Sequence, residues 1–168
     1  TEGMLEAGKK IAAEMGLDIN FIQGNVLDGL PFEDNYFDIV YSNSMLEFFK
    51  PGEEVDKVLS EMWRILTPGG KMVIGVLNSK STWAYKRIAE TIEKDTIFSQ
   101  GKFYSWEEVS DLLDKYGEFE IESTLFVPPY VREKEDFDWF KDLESEFKKR
   151  FPKRGALIVG SVVKEEGN

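Results

Sequence analysis

Residues Gly24 to Phe49 read GNVLDGLPFEDNYFDIVYSNSMLEFF, and the fold class follows from them. At the centre, Phe37-Asp38-Ile39-Val40-Tyr41 is a short apolar run led by an aspartate. Leu30-Pro31-Phe32 makes a corner ahead of it, and Glu33-Asp34-Asn35 a polar turn. Ser42-Asn43-Ser44, small and polar, follows. An apolar run of this length between turn signals predicts a buried parallel strand over Tyr36 to Tyr41, with its C-terminal end opening into a crevice. In an open α/β sheet that end is where ligands bind.

The flanking segments read as layers around this strand. Glu2 to Met15 is an amphipathic helix with Met4, Leu5, Gly8, Ile11, Ala12 and Met15 near one face, and Gly16 suits its C-terminal cap. Ile19 to Gln23 reads as a short strand. Beyond the central strand, Glu53 to Leu66 is a helix with Val55, Val58, Leu59, Met62, Ile65 and Leu66 inward. Pro68-Gly69-Gly70 turns the chain into a second buried strand, Lys71 to Leu77. Ser81 to Lys94 is helical. Ser105 to Tyr116 is a helix opened by a Ser105–Glu108 capping box, and Gly117 ends it. Glu118 to Val127 alternates as a half-buried strand, Asp136 to Phe151 is a helix, and Ala156 to Val163 is a last strand. Long crossovers between strands imply a mostly parallel sheet with helices on both faces.

Composition narrows the chemistry. The 168 residues suit a single domain spanning 1–168, and 42% hydrophobic with 32% charged content describes an ordinary globular chain. A net charge of −11 argues against non-specific nucleic-acid binding. No apolar run is long enough to cross a bilayer and no signal-peptide pattern is present, so a cytoplasmic protein that binds no membrane is expected. The chain has no cysteine and no histidine, which removes disulfides, Cys/His zinc sites, Ser-His-Asp triads and cysteine nucleophiles. No metal site is expected, and any general base is Asp, Glu, Lys, Tyr or water.

In order and spacing, these segments resemble the class I S-adenosylmethionine-dependent methyltransferases, in particular the methyltransferase type-11 group. That family carries G-D-A-x-x-L-P-F-x-D-x-x-F-D-x-V and, some way on, R-x-L-x-P-G-G. The counterparts here are Gly24-Asn25-Val26, Leu30-Pro31-Phe32, Asp34, Phe37-Asp38-Ile39-Val40 and Arg64-Ile65-Leu66-Thr67-Pro68-Gly69-Gly70. Glu2-Gly3-Met4-Leu5 is similar to the family's S-x-x-M-L helix start. The resemblance runs from Thr1 to about Asn78 and is looser beyond. It implies a Rossmann-like methyltransferase fold ending in a reversed strand, S-adenosylmethionine as cofactor, and methyl transfer to a small molecule.

The resemblance also implies roles for single residues. Asn25 and Val26 take the place of an Asp-Ala pair at the adenine edge; Asn25 departs from that pattern and is alternatively a plain turn residue. Met4 corresponds to a position near the adenine ring, or packs in the core. Ser42, Asn43 and Ser44 border the cofactor's methionine end, or form a capped loop. Glu47 stands where many relatives have a histidine and is the candidate base or substrate-orienting group. Asp38 is expected to fix the turn before its strand. Aromatic residues crowd the later segments, either as a lid over an apolar or aromatic ligand or as ordinary packing; Trp83, Tyr104 and Tyr130 are the expected pocket walls because they flank strand ends.

The family's opening strand, its Gly-rich turn, the following helix and the second strand with its acidic ribose binder have no counterpart here. The chain begins at Thr1, so the expectation is a longer natural protein with that unit upstream. The alternative is a remnant that acts through a partner or as a homo-oligomer, including a non-catalytic methyltransferase-like subunit. A nucleotide-binding oxidoreductase on a similar sheet is disfavoured, since no G-x-G-x-x-G is present.

Overall fold

The computed structural model describes residues 2–129 and 144–166. It divides into a unit spanning Thr1–Phe32 and one spanning Glu33–Asn168.

In the first unit, helix α1 covers Glu2–Glu14. Its end is a Schellman motif: Leu17 N–H donates to Ala12 O at 2.9 Å and Gly16 N–H to Ala13 O at 3.1 Å, with Gly16 at φ 65°. Ile19 to Gln23 is not a strand; residues 17–25 carry no regular structure. A strand needs a neighbour for its ladder. Here no described strand pairs with the segment, and the Phe21 ring lies beside Gly8 of α1 instead. A single 3₁₀ turn follows at Val26–Asp28.

The second unit is a four-stranded sheet of order β1-β2-β4-β3, made of β1 (Phe37–Asn43), β2 (Leu66–Leu77), β3 (Phe119–Thr124) and β4 (Leu157–Val163). β1 and β2 are parallel, and β4 runs antiparallel to both β2 and β3. Three strands therefore share a direction, and the last strand is reversed and inserted between its neighbours. α2 (Glu53–Ile65) buries Val55, Val58, Leu59, Met62 and Ile65, with acids in its first turn and Arg64 in its last, as its dipole favours. α4 (Trp106–Asp114) opens with the complete capping box of Ser105 and Glu108. The two helices are neighbours, joined by the Trp63–Tyr116 ring contact and a Lys115–Asp56 ion pair. The core they close includes Met72, Ile74, Val76, Ile158 and Val162, all at most 1% exposed.

The corner where β1 and β2 begin explains why the two sequence motifs travel together. Arg64 Nη1 meets Asp34 at 2.8 Å, while Asn35 and Tyr36 donate their N–H groups to Arg64 O and Ile65 O. Lys164, buried, spends its three ammonium donors on Asn35 Oδ1, Trp63 O and Leu66 O. The Pro68-Gly69-Gly70 segment was expected to turn the chain into a strand starting at Lys71, but it lies within β2 itself. β2 already begins at Leu66, and the three residues loop out of its register, Phe37 pairing with Leu66 and Ile39 with Lys71. A Cβ on Gly70 would stand 2.8–2.9 Å from Leu66 Cδ1, Thr67 O and Asp38 O, so only glycine fits this close approach.

Other boundaries shift for local reasons. β1 runs two residues further than expected, through Ser42 and Asn43. β3 stops at Thr124 rather than Val127: Leu125 takes φ 63°, and the N–H groups of Leu125 and Phe126 donate to the Glu144 carboxylate instead of a ladder. The helix expected over Asp136 to Phe151 lies partly outside the described residues; 144–150 are helical.

Candidate functional site

The C-terminal ends of β1 and β2 lie side by side, with Asn43 paired to Gly75. Ser42 is 7% exposed, and its Oγ has no hydrogen-bond partner among the described residues. Asn43 is exposed, and Ser44 turns the chain with φ 50° while its N–H donates to Gly75 O at 2.8 Å. Polar groups thus converge at the strand ends, one of them buried and unsatisfied. A buried hydroxyl without a partner costs free energy until something bonds to it, so this end of the sheet is suited to a polar ligand.

Glu47 follows on a 3₁₀ turn, Leu46–Phe48, and is 1% exposed. Its Oε1 accepts from Leu77 N–H at 2.6 Å, and Oε2 has no partner among the described residues. Burial pushes its carboxyl above the ordinary value of 4.5, against the opposing pull of the Leu77 N–H. The side chain therefore holds the end of β2.

The segment leading into α4 is stitched to the same strand end. Lys102 N–H donates to Glu47 O, Tyr104 N–H to Leu77 O, and Ser79 N–H to Tyr104 O. Tyr104 is 2% exposed and its hydroxyl donates to Leu46 O at 3.2 Å. Burial first, and then the charges of Glu47 and Glu108, push that phenol up to about 12. Tyr104 forms part of the packing at this junction, and is not on the wall of the cavity described next.

Beyond the end of β2, Ser81 caps α3 (Thr82–Glu93) by accepting from Ala84 N–H at 3.1 Å. Between α3 and the strand ends lies a cavity of about 330 Å³. Its walls include Leu77, Trp83, Phe103, Leu125 and Val127. Trp83 is fixed there by Nε1 donating to Val127 O at 2.8 Å. The polar atoms at its edge are already used: Asn78 Nδ2 donates to Gly155 O, Asn78 Oδ1 accepts from Lys80 N–H, and Ser81 Oγ donates to Asn78 O. Arg87, one turn after Trp83, also lines it, as does Phe98. Sequence reasoning passed over both, although the four-residue step from Trp83 puts Arg87 on the same helix face.

The remaining expected site residues fall as follows. In the first unit Met4 is 75% exposed on α1. Asn25 caps the 3₁₀ turn, its Oδ1 accepting from Leu27 N–H at 3.2 Å and its Nδ2 donating to Asp28 at 3.0 Å; Val26 is the turn's first residue. Asp38 lies within β1 and accepts from the Thr67 hydroxyl at 3.4 Å. Tyr130 lies outside the described residues.

A family model described as a methyltransferase domain matches residues 1–74. A protein of Methanocaldococcus jannaschii is 31% identical over 115 residues, covering 68% of this chain and 53% of that protein. The demethylmenaquinone methyltransferase of Lactococcus lactis is 33% identical over 106 residues, 62% of this chain and 40% of that enzyme. The chain thus spans about half the length, or less, of these curated relatives. The structure of an S-adenosylmethionine-dependent methyltransferase from Thermotoga maritima superposes with a TM-score of 0.66 at 24% identity, over 93% of this chain and 68% of that one. No described helix is long and apolar enough to cross a membrane.

Proposed function

We propose that this chain is part of a class I S-adenosylmethionine-dependent methyltransferase that methylates a small molecule at the C-terminal ends of β1 and β2. The observation that carries the reading is the buried, unpartnered Ser42 Oγ beside the exposed Asn43 at that strand end. These groups suit the polar amino-acid portion of the cofactor, and Ser42, Asn43 and Ser44 are proposed to hold it. The roles of Met4, Asn25 and Val26 toward the adenosyl portion are proposed on the resemblance alone. When bound, the cofactor supplies an electrophilic methyl group on a cationic sulfur. An acceptor held there would contribute the electron pair of the new bond and lose its proton to solvent, the sulfur keeping the electron pair of the carbon–sulfur bond that breaks. Positioning and exclusion of water supply most of what such a displacement needs, so the lack of histidine and cysteine is no obstacle. Glu47 is proposed to position the β2 end that borders the acceptor. A cytoplasmic location and a single domain over 1–168 are part of the same reading.

The test is a thermal-shift titration of the full-length protein with S-adenosylhomocysteine. Saturation at about one hundred times Kd stabilises by about 2.7 kcal/mol, and Ser42→Val is expected to weaken the response. No shift at millimolar ligand overturns the reading.

A further inference from the structure

The cavity beneath α3 carries more information than its position. Among the described residues, its apolar walls bring one charged side chain to the lining, Arg87. The guanidinium carbon lies 5.5 Å from the centre of the Trp83 ring and 5.1 Å from that of Phe98. Two ring contacts of this kind hold the group at the wall and restrict its rotamers. One guanidinium nitrogen, Nη1, bonds Glu90 at 3.1 Å. The Nε and Nη2 protons have no partner among the described residues. Glu90 is shared with Lys86, and hydrogen bonds from Lys86 first and Arg87 second lower its pKa. Arg87 thus shares its carboxylate with Lys86, and, 37% exposed, it reaches the cavity wall.

A planar guanidinium with its Nε–Nη2 edge free is the geometry that takes a carboxylate through two parallel hydrogen bonds. Among the described residues the other polar side chains of the wall are already engaged: Trp83 Nε1, Asn78 and Ser81 are bonded within the chain. The volume, about 330 Å³, is at the small end of the about 300–1,000 Å³ typical of ligand sites. We propose that this cavity takes a compact aromatic acid, its ring system against Trp83, Phe98 and Phe103 and its carboxylate on the free edge of Arg87. That this acid is the methyl acceptor rests on the methyltransferase reading above; the binding itself does not.

The experiment is calorimetric titration of the full-length protein, without cofactor, using 2-naphthoate and its uncharged counterpart 2-naphthalenemethanol. The acid is expected to bind about tenfold or more tighter than the alcohol, the usual margin for a charge-assisted hydrogen-bond pair. Arg87→Met is expected to remove that margin and leave the alcohol's affinity unchanged within about twofold. Equal affinities in the wild type, no effect of Arg87→Met, or no binding of either probe at millimolar concentration overturns the proposal. Should Arg87→Met fail to fold, the acid-to-alcohol ratio in the wild type and its decline with added salt decide. A protein that responds to S-adenosylhomocysteine but ignores naphthoate keeps its activity class and loses this acceptor class. The reverse result separates the two in the other direction.

Discussion

Glu47 shows what a residue's environment adds to its sequence position. Its place in the motif marks it as a candidate base, yet the fold takes the carboxyl out of water and gives it one backbone donor. Burial raises its folded-state pKa above the ordinary 4.5 of the unfolded chain. The sign of the linkage follows. The native state holds this proton more tightly, so the stabilisation it brings is complete below about pH 4.5 and is lost as pH rises through the raised folded value. Glu47→Gln keeps an oxygen for Leu77 N–H and has no proton to lose. In urea unfolding across pH 4 to 8, wild type is expected to lose stability relative to the Gln variant as pH rises. Parallel curves would mean that the carboxyl titrates alike in both states. Tyr104 teaches a related lesson: its polar end is turned inward to Leu46 O and shielded from solvent.

At the scale of elements, α4 and β4 meet through an absence. A Cβ on Gly160 would stand 2.3 Å from Leu113 Cδ1, and Leu113 is fully buried. Gly160→Ala is therefore expected to cost about 1–3 kcal/mol through overpacking, read as a lower denaturant midpoint with unchanged slope. Leu113→Ala alone leaves a cavity and costs about 2–5 kcal/mol. Because the new methyl occupies part of the vacated space, the double variant should lose clearly less than the sum; additive losses would show that the two sites do not touch. The same scale explains which elements were legible. α2 announces itself by apolar periodicity and α4 by periodicity together with its Ser105–Glu108 capping box, both local signals. The Ile19 to Gln23 segment has strand-like composition, but strand formation depends on a partner, and none is among the described strands. β3 was read too long because Glu144, distant in sequence, captures the next two N–H groups.

For the molecule as a whole, the net charge of −11 sets a background field. Like charges repel more in the compact state than in the unfolded chain, and salt screens them. Raising NaCl from about 10 to 150 mM is expected to raise the melting temperature by about 2–4 °C; a fall would mean that specific ion pairs such as Arg64–Asp34 outweigh the general repulsion. Apolar periodicity, the Leu-Pro-Phe corner and the Pro-Gly-Gly segment were enough to read the class of fold, the strand at whose end the site is proposed and the family resemblance, because each is a local pattern along the chain. The unsatisfied Ser42 Oγ, the burial of Glu47 and the pairing of Arg87 with Trp83 and Phe98 at one cavity wall depended on packing. Burial and ring contacts between residues far apart in sequence arise only when strands and helices close on one another, so no single stretch of residues encodes them.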